Sequence, residues 1–242
     1  MLRFSDARNF GRTLTGLCLI GGPVLFLVAQ IVAPNTDHDN KAKELAAVAA
    51  HKGSYLATTY IFLAAAILLI IASIGMIRFF RGPRGVTAGQ VAGGLLVLGS
   101  AVIFSFFAFA ITEYEMVNQK GLNRPALAQF LHKANDSNSA LPLFILFLLG
   151  VVLGLILLAV AMYRTRVVPV WAAVAVLAGG VSSIFNPVAL EIAGDALLVV
   201  GLGALAFRIL GMSDEEWDSP RERKGVAAAA EPPTAPTPAP AA

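Results

Sequence analysis

Glu191 and Asp195 lie four residues apart within an otherwise apolar stretch that includes Leu197, Leu198, Val199, Val200 and Leu202. On a helix that spacing turns both carboxylates to one face. A second apolar stretch ends in Thr112-Glu113-Tyr114-Glu115, and two histidines, His51 and His132, each precede a lysine at the close of an alanine- and leucine-rich segment. Carboxylates and imidazoles together bind divalent cations or relay protons. The spacing is loose, however: no His-x-x-x-His or Glu-x-x-His pair fixes ligands on one helix face, so a metal is left open. The single cysteine, Cys18, cannot build a zinc or iron–sulfur site within one chain. Ser54, His132 and Asp136 supply the types for a nucleophilic triad without any defining spacing, and neither a Gly-x-Ser-x-Gly elbow nor a His-Glu-x-x-His helix is present. The reading is therefore non-enzymatic and without a cofactor. The candidate residues for a ligand or a proton are Asp195, Glu191, Glu113 and Glu115, with His51 and His132 as weaker ones.

The elements that must position these groups follow from composition. Of 242 residues, 57% are hydrophobic and 14% charged, where a soluble domain carries about 25% charged residues. The net charge is only +3, with no basic run long enough to track phosphates, which excludes a nucleic-acid partner. Crossing a core about 30 Å thick takes about 20 helical residues. Charge-free windows of that length run from Thr13 to Thr36, Gly53 to Ile77, Gly85 to Thr112, Ser137 to Tyr163 and Val167 to Leu190. A sixth, Ala196 to Phe207, is long enough only if Glu191 and Asp195 join it. Residues 167–207 must then hold two crossings, with a tight turn at Asn186-Pro187.

Arginine and lysine set the orientation, because cytoplasmic segments retain them. With the amino end inside, twelve of the 18 basic residues fall inside, among them Arg3, Arg12, Arg78, Arg164, Arg208 and Lys224, which favours an even number of spans. The expected fold is an all-α polytopic membrane bundle of six transmembrane helices in three hairpins, with both termini cytoplasmic. Short surface helices are expected in the two long outer loops, at Leu45–Lys52 and Ala126–Lys133, whose likeness is compatible with an internal duplication. The expected parts are a basic amino terminus over 1–12 and a transmembrane domain over 13–212. Its spans cover about 13–34, 54–78, 86–112, 140–163, 167–185 and 188–210. Residues 213–242, acidic and then alanine- and proline-rich, are expected to be a disordered cytoplasmic tail.

Counting back from Arg208 at about 1.5 Å per residue puts Asp195 roughly 20 Å up the last span, about 5–10 Å beneath the outer edge of the core. A charge there costs up to about 3 kcal/mol, so the side chain should face the bundle interior, meet a water-filled cavity, or be protonated. Gly85, Gly89 and Gly93, with Gly94 and Gly99 beyond, lay out one helix face for close packing, as do Gly150 with Gly154 and Gly179 with Gly180. Pro23 is expected to kink the first span.

The run Ala47-Val48-Ala49-Ala50-His51-Lys52-Gly53, the arginine-rich second inner loop, and Arg166-Val167-Val168-Pro169-Val170-Trp171-Ala172-Ala173 resemble a group of uncharacterised bacterial six-span integral membrane proteins. That resemblance implies six helices in a bacterial cytoplasmic membrane and brings no activity, substrate or catalytic residue with it. The leading expectation is a protein that binds a small ligand, a lipid or a partner subunit through an outward-facing polar cavity near Asp195. A small secondary transporter, proton-linked through Asp195, is the alternative, and a membrane enzyme acting on a lipid-soluble substrate comes third. Transport requires polar companions toward the cytoplasm, and Ser73, Gln90 and Ser100 are the candidates. The expected partners are the lipid bilayer and a second copy of the chain or a membrane partner subunit.

Overall fold

A computed structural model describes residues 7–34, 40–80, 86–119, 121–136, 141–182 and 188–218. The Asn186-Pro187 turn, His38, Gly85 and the proline-rich tail lie outside the described residues. Among those described, every regular element is helical. In chain order they are α1 (Ala7–Val32), α2 (Lys41–Ala50), α3 (Lys52–Phe79), α4 (Val86–Asn118), α5 (Arg124–Asp136), α6 (Leu141–Phe147), a π-helical stretch (Leu148–Leu153), α7 (Gly154–Thr165), α8 (Val170–Ser182), α9 (Val188–Leu210) and α10 (Asp214–Asp218).

Five helical segments are long and apolar enough to cross a membrane: Asn9–Val32, Lys52–Phe79, Thr87–Asn118, Leu141–Thr165 and Val188–Leu210. The fourth joins α6, the π-helical stretch and α7 into one rod. α8 is apolar but has only 13 described residues, about 20 Å of helix against a core of about 30 Å. α4 errs the other way. Its 33 residues reach about 50 Å, because Thr112-Glu113-Tyr114-Glu115, expected to close the span, are tolerated in a helix once it has left the apolar layer.

The long helices form a closed ring in which α1 packs on α3, α3 on α4, α4 on α7, α7 on α8, α8 on α9, and α9 back on α1. Small residues set the close approaches. A Cβ added at Gly99 would stand 2.6 Å from the carbonyl carbon of Gly150, and one at Gly150 would stand 2.5 Å from the Gly99 Cα, so α4 and the π-helical stretch meet backbone to backbone. Gly93 abuts Ile77 of α3, Gly179 faces the Gly194 carbonyl across α8 and α9, and Gly75 abuts Thr15 across α1 and α3. Hydroxyls within the bundle donate to the preceding turn of their own helices, Thr15 to the Gly11 carbonyl at 2.7 Å and Ser73 to that of Leu69 at 2.7 Å. This leaves their outer faces apolar. The main core, which includes Leu19, Met76, Leu158, Met162, Leu205 and Ile209, lies where these helices converge.

Each end of the ring carries its own structure. At the end where α1 finishes and α3 begins, the overhang of α4 brings Val117 against Leu45 and Val48 of α2 and Ala128 and Leu131 of α5, forming a separate small core. α2 is started by Asn40, whose side chain accepts from the Lys43 N–H at 3.1 Å, and α5 by Asn123, which accepts from the Ala126 N–H at 3.3 Å. We call this the cap end. At the opposite end, the tail end, α10 folds under α1: Arg12 pairs with Asp214 at 3.2 Å, Arg208 with Glu216 at 2.8 Å, and the Trp217 ring lies 6.2 Å from that of Phe79. Ser213 starts α10 by accepting from the Glu216 N–H at 3.1 Å.

Candidate functional site

Inside the ring lies a cavity of about 410 Å³, within the ordinary range for small-molecule sites. Its walls come from α1, α3, α4, α9 and the rod of α6, the π-helical stretch and α7. Leu19 to Gln30 on α1 and Glu191 to Leu202 on α9 mark its ends, a depth of about 16 Å on either helix.

The polar groups gather toward the cap end. Gln30 of α1 donates through its side-chain amide to a Glu191 carboxylate oxygen at 2.6 Å. Asp195 lines the same cavity one helical turn further in, and among the described residues no hydrogen-bond or ion-pair partner meets it. α1 and α9 run antiparallel, since Gln30 meets Glu191 at the cap end while Gly16 abuts Leu210 at the other. Phe26, one turn in from Gln30, therefore shares the level of Asp195.

Aromatic rings make up much of the remainder: Phe26, Phe62, Phe106, Phe107, Phe144 and Phe147 all line the cavity. Phe62 and Phe107 stack with centroids 4.0 Å apart, and Phe26 meets Phe62 edge-on at 4.9 Å. Ser73 and Ser100 line it nearer the tail end, whereas Gln90 does not contribute. Phe106 of α4 and Phe144 of α6 also line it and are 42% and 52% exposed.

The structure brings Glu191 and Asp195 together and leaves the other sequence candidates elsewhere. Glu113 accepts a hydrogen bond from the Tyr55 hydroxyl at 3.2 Å, between α3 and the α4 overhang. Glu115 is exposed on the same overhang, and neither acid lines the cavity. His51 ends α2, and His132 lies within α5 beside a small surface hollow with Asn40, Lys41 and Gln129. Among the described residues no three His, Cys, Asp or Glu side chains are placed to hold a metal ion. Gln30 and the phenylalanines are functional candidates that the reading of motifs passed over. A single amide within the expected first span, 13–34, is the one sequence signal for Gln30.

The π-helical stretch also bears on the site. Phe147 and Val151, on either side of its start, line the cavity, and Gly150 makes the contact with α4. Such insertions of one residue into an α-helix redirect side chains and occur frequently at functional positions.

No curated protein and no solved structure matches the chain. A family model does match, over residues 14–212, which takes in all of the ring but the first residues of α1 and includes both lining carboxylates, and by that match the chain belongs to the family described as a domain of unknown function, DUF4386.

Proposed function

We propose that this protein is a non-enzymatic binding protein of a bacterial cytoplasmic membrane that takes an amphiphilic molecule from the bilayer into its central cavity. The observation that carries the reading is the lining itself: six phenylalanines with aliphatic neighbours, and polar groups concentrated at one end around Gln30, Glu191 and Asp195. An amphiphile matches that gradient, its apolar part among the rings and its polar head against the acids. In this reading it enters laterally between α4 and α6, past Phe106 and Phe144, which line the cavity and are partly exposed. The depth of about 16 Å is roughly half of a hydrocarbon core, which supports holding a molecule over passing it through.

In this reading α8 belongs to a sixth span, and both chain ends face the cytoplasm. The arginines Arg12, Arg78, Arg164 and Arg208 at the tail end support that sidedness. The cap end, with Asp195 beneath it, then faces outward.

Native mass spectrometry of protein released from mild detergent tests the reading. Wild type is expected to retain one amphiphile per chain. Leu198→Trp and Ser100→Phe, which fill the cavity, are expected to lose it while keeping the unfolding temperature within a few degrees. Filled variants that retain as much bound mass as wild type would overturn the proposal. A reporter fused to the carboxyl end tests sidedness separately, and an exterior signal would overturn it.

A further inference from the structure

We infer that the amphiphile held in the cavity is a lipophilic monocation, an apolar body with one ammonium-type head, docked between Asp195 and the ring cluster of Phe26, Phe62 and Phe107. This rests on the reading of the cavity as an amphiphile site and adds the charge of the head.

The lining is unbalanced in charge. Among the described residues it holds two carboxylates and no lysine, arginine or histidine. The Gln30 amide engages Glu191, but an amide carries no charge to offset the acid, and no described residue donates to Asp195. Two acids one turn apart on one helix face repel each other when both are ionised, and in an apolar surround the repulsion is poorly screened. A cation entering beside them relieves both the repulsion and the unmet acceptor capacity. An anionic head meets the same field with the opposite sign, and a zwitterionic phospholipid would bring its phosphate toward the acids along with its amine. A neutral hydroxyl needs one acceptor and gains nothing from the second acid.

The rings sharpen the choice. Phe26 shares the level of Asp195 through the antiparallel register of α1 and α9, and it joins the Phe62–Phe107 stack through its edge-on contact with Phe62. Aromatic faces attract a cation through their quadrupole, most strongly where water is excluded. A carboxylate and aromatic rings lining one cavity form a pairing that selects a cation with apolar substituents over a small hydrated ion, whose shell the rings cannot replace.

The experiment uses full-length protein in phosphatidylcholine nanodiscs and three probes sharing one chain: dodecyltrimethylammonium, dodecanol and dodecyl sulfate. Binding is counted in excess of protein-free nanodiscs, which removes partitioning into lipid. Wild type is expected to bind the ammonium probe about ten-fold or more tighter than the alcohol, with no excess binding of the sulfate. Asp195→Asn is expected to bring ammonium and alcohol to equal affinity. Phe62→Leu is expected to weaken the ammonium probe several-fold and leave the alcohol unchanged. If Asp195→Asn does not fold, Glu191→Gln removes one charge without altering Asp195 and must narrow the same preference. Equal binding of ammonium and alcohol by wild type overturns the monocation and leaves the amphiphile reading standing. No excess binding of any probe overturns both.

Discussion

The contact between Gly99 and Gly150 sets a test of how the ring is held together. Replacing Gly99 with alanine puts a methyl group 2.6 Å from the Gly150 carbonyl carbon and 2.7 Å from the Val151 nitrogen. Both are backbone atoms that cannot rotate aside, so α4 and the π-helical stretch must part by about 0.8 Å to bring the nearest contact from 2.6 Å out to 3.4 Å. Overpacking of this kind costs about 1–3 kcal/mol, and the helix gains about 1 kcal/mol from losing a glycine. The net expectation is a loss of up to about 2 kcal/mol, which lowers the midpoint of thermal unfolding by up to roughly 4–8 °C for a chain of this size. Gly94, five residues earlier on the same helix, is the control. A Cβ there meets nothing within 4 Å, so Gly94→Ala should hold or raise the midpoint. Gly150→Ala forces the same separation as Gly99→Ala, and the double variant should cost less than the two singles combined. The measurement is intrinsic fluorescence during heating in nanodiscs. Equal midpoints for Gly94→Ala and Gly99→Ala would refute the close approach of the two backbones.

Three further outcomes are expected. Tyr55→Phe removes the hydroxyl that donates to Glu113 at 3.2 Å and should destabilise the protein by about 1 kcal/mol; an unchanged unfolding midpoint would place that contact outside the stable fold. Trp217 is 8% exposed against Phe79 whereas Trp171 is 55% exposed. Trp217→Ala should therefore cost about 3 kcal/mol, and in a Trp171→Phe background the single remaining tryptophan should shift to longer emission wavelength when Arg12→Ala releases α10. A double-mutant cycle on Arg12 and Asp214, whose side chains pair at 3.2 Å with the arginine largely buried, should give a coupling of about 0.5–1 kcal/mol; zero coupling would leave Trp217 as the anchor of α10.

What could be read in advance divides along a physical line. A bilayer excludes charge over a fixed thickness, so charge-free windows point to helices wherever they fall, and helices α1, α3, α4 and α9 each contain one or most of one. The four-residue spacing of Glu191 and Asp195 likewise requires only that the segment be helical. Partnerships between distant segments leave no such trace: Gln30 and Glu191 are 161 positions apart, and no local pattern in either span names the other. Glu113 and Glu115 belong with the cavity acids by sequence logic, since both follow an apolar stretch. The overhang of α4 separates them, because helix propensity continues past the point where hydrophobicity stops. The π-helical stretch is the least legible feature, as Leu148-Leu149-Gly150-Val151-Val152-Leu153 contains no residue that demands an extra one per turn.

The order in which the ring closes has a bearing on biogenesis. α1 flanks α3 on one side and α9 on the other, so the earliest helix of the ring waits for its latest before its second flank is covered. Until then Gln30 has no acid to meet and the phenylalanines face whatever fills the gap. The chamber is therefore a product of the finished chain, and an insertion intermediate truncated before α9 should be a substrate for membrane quality control.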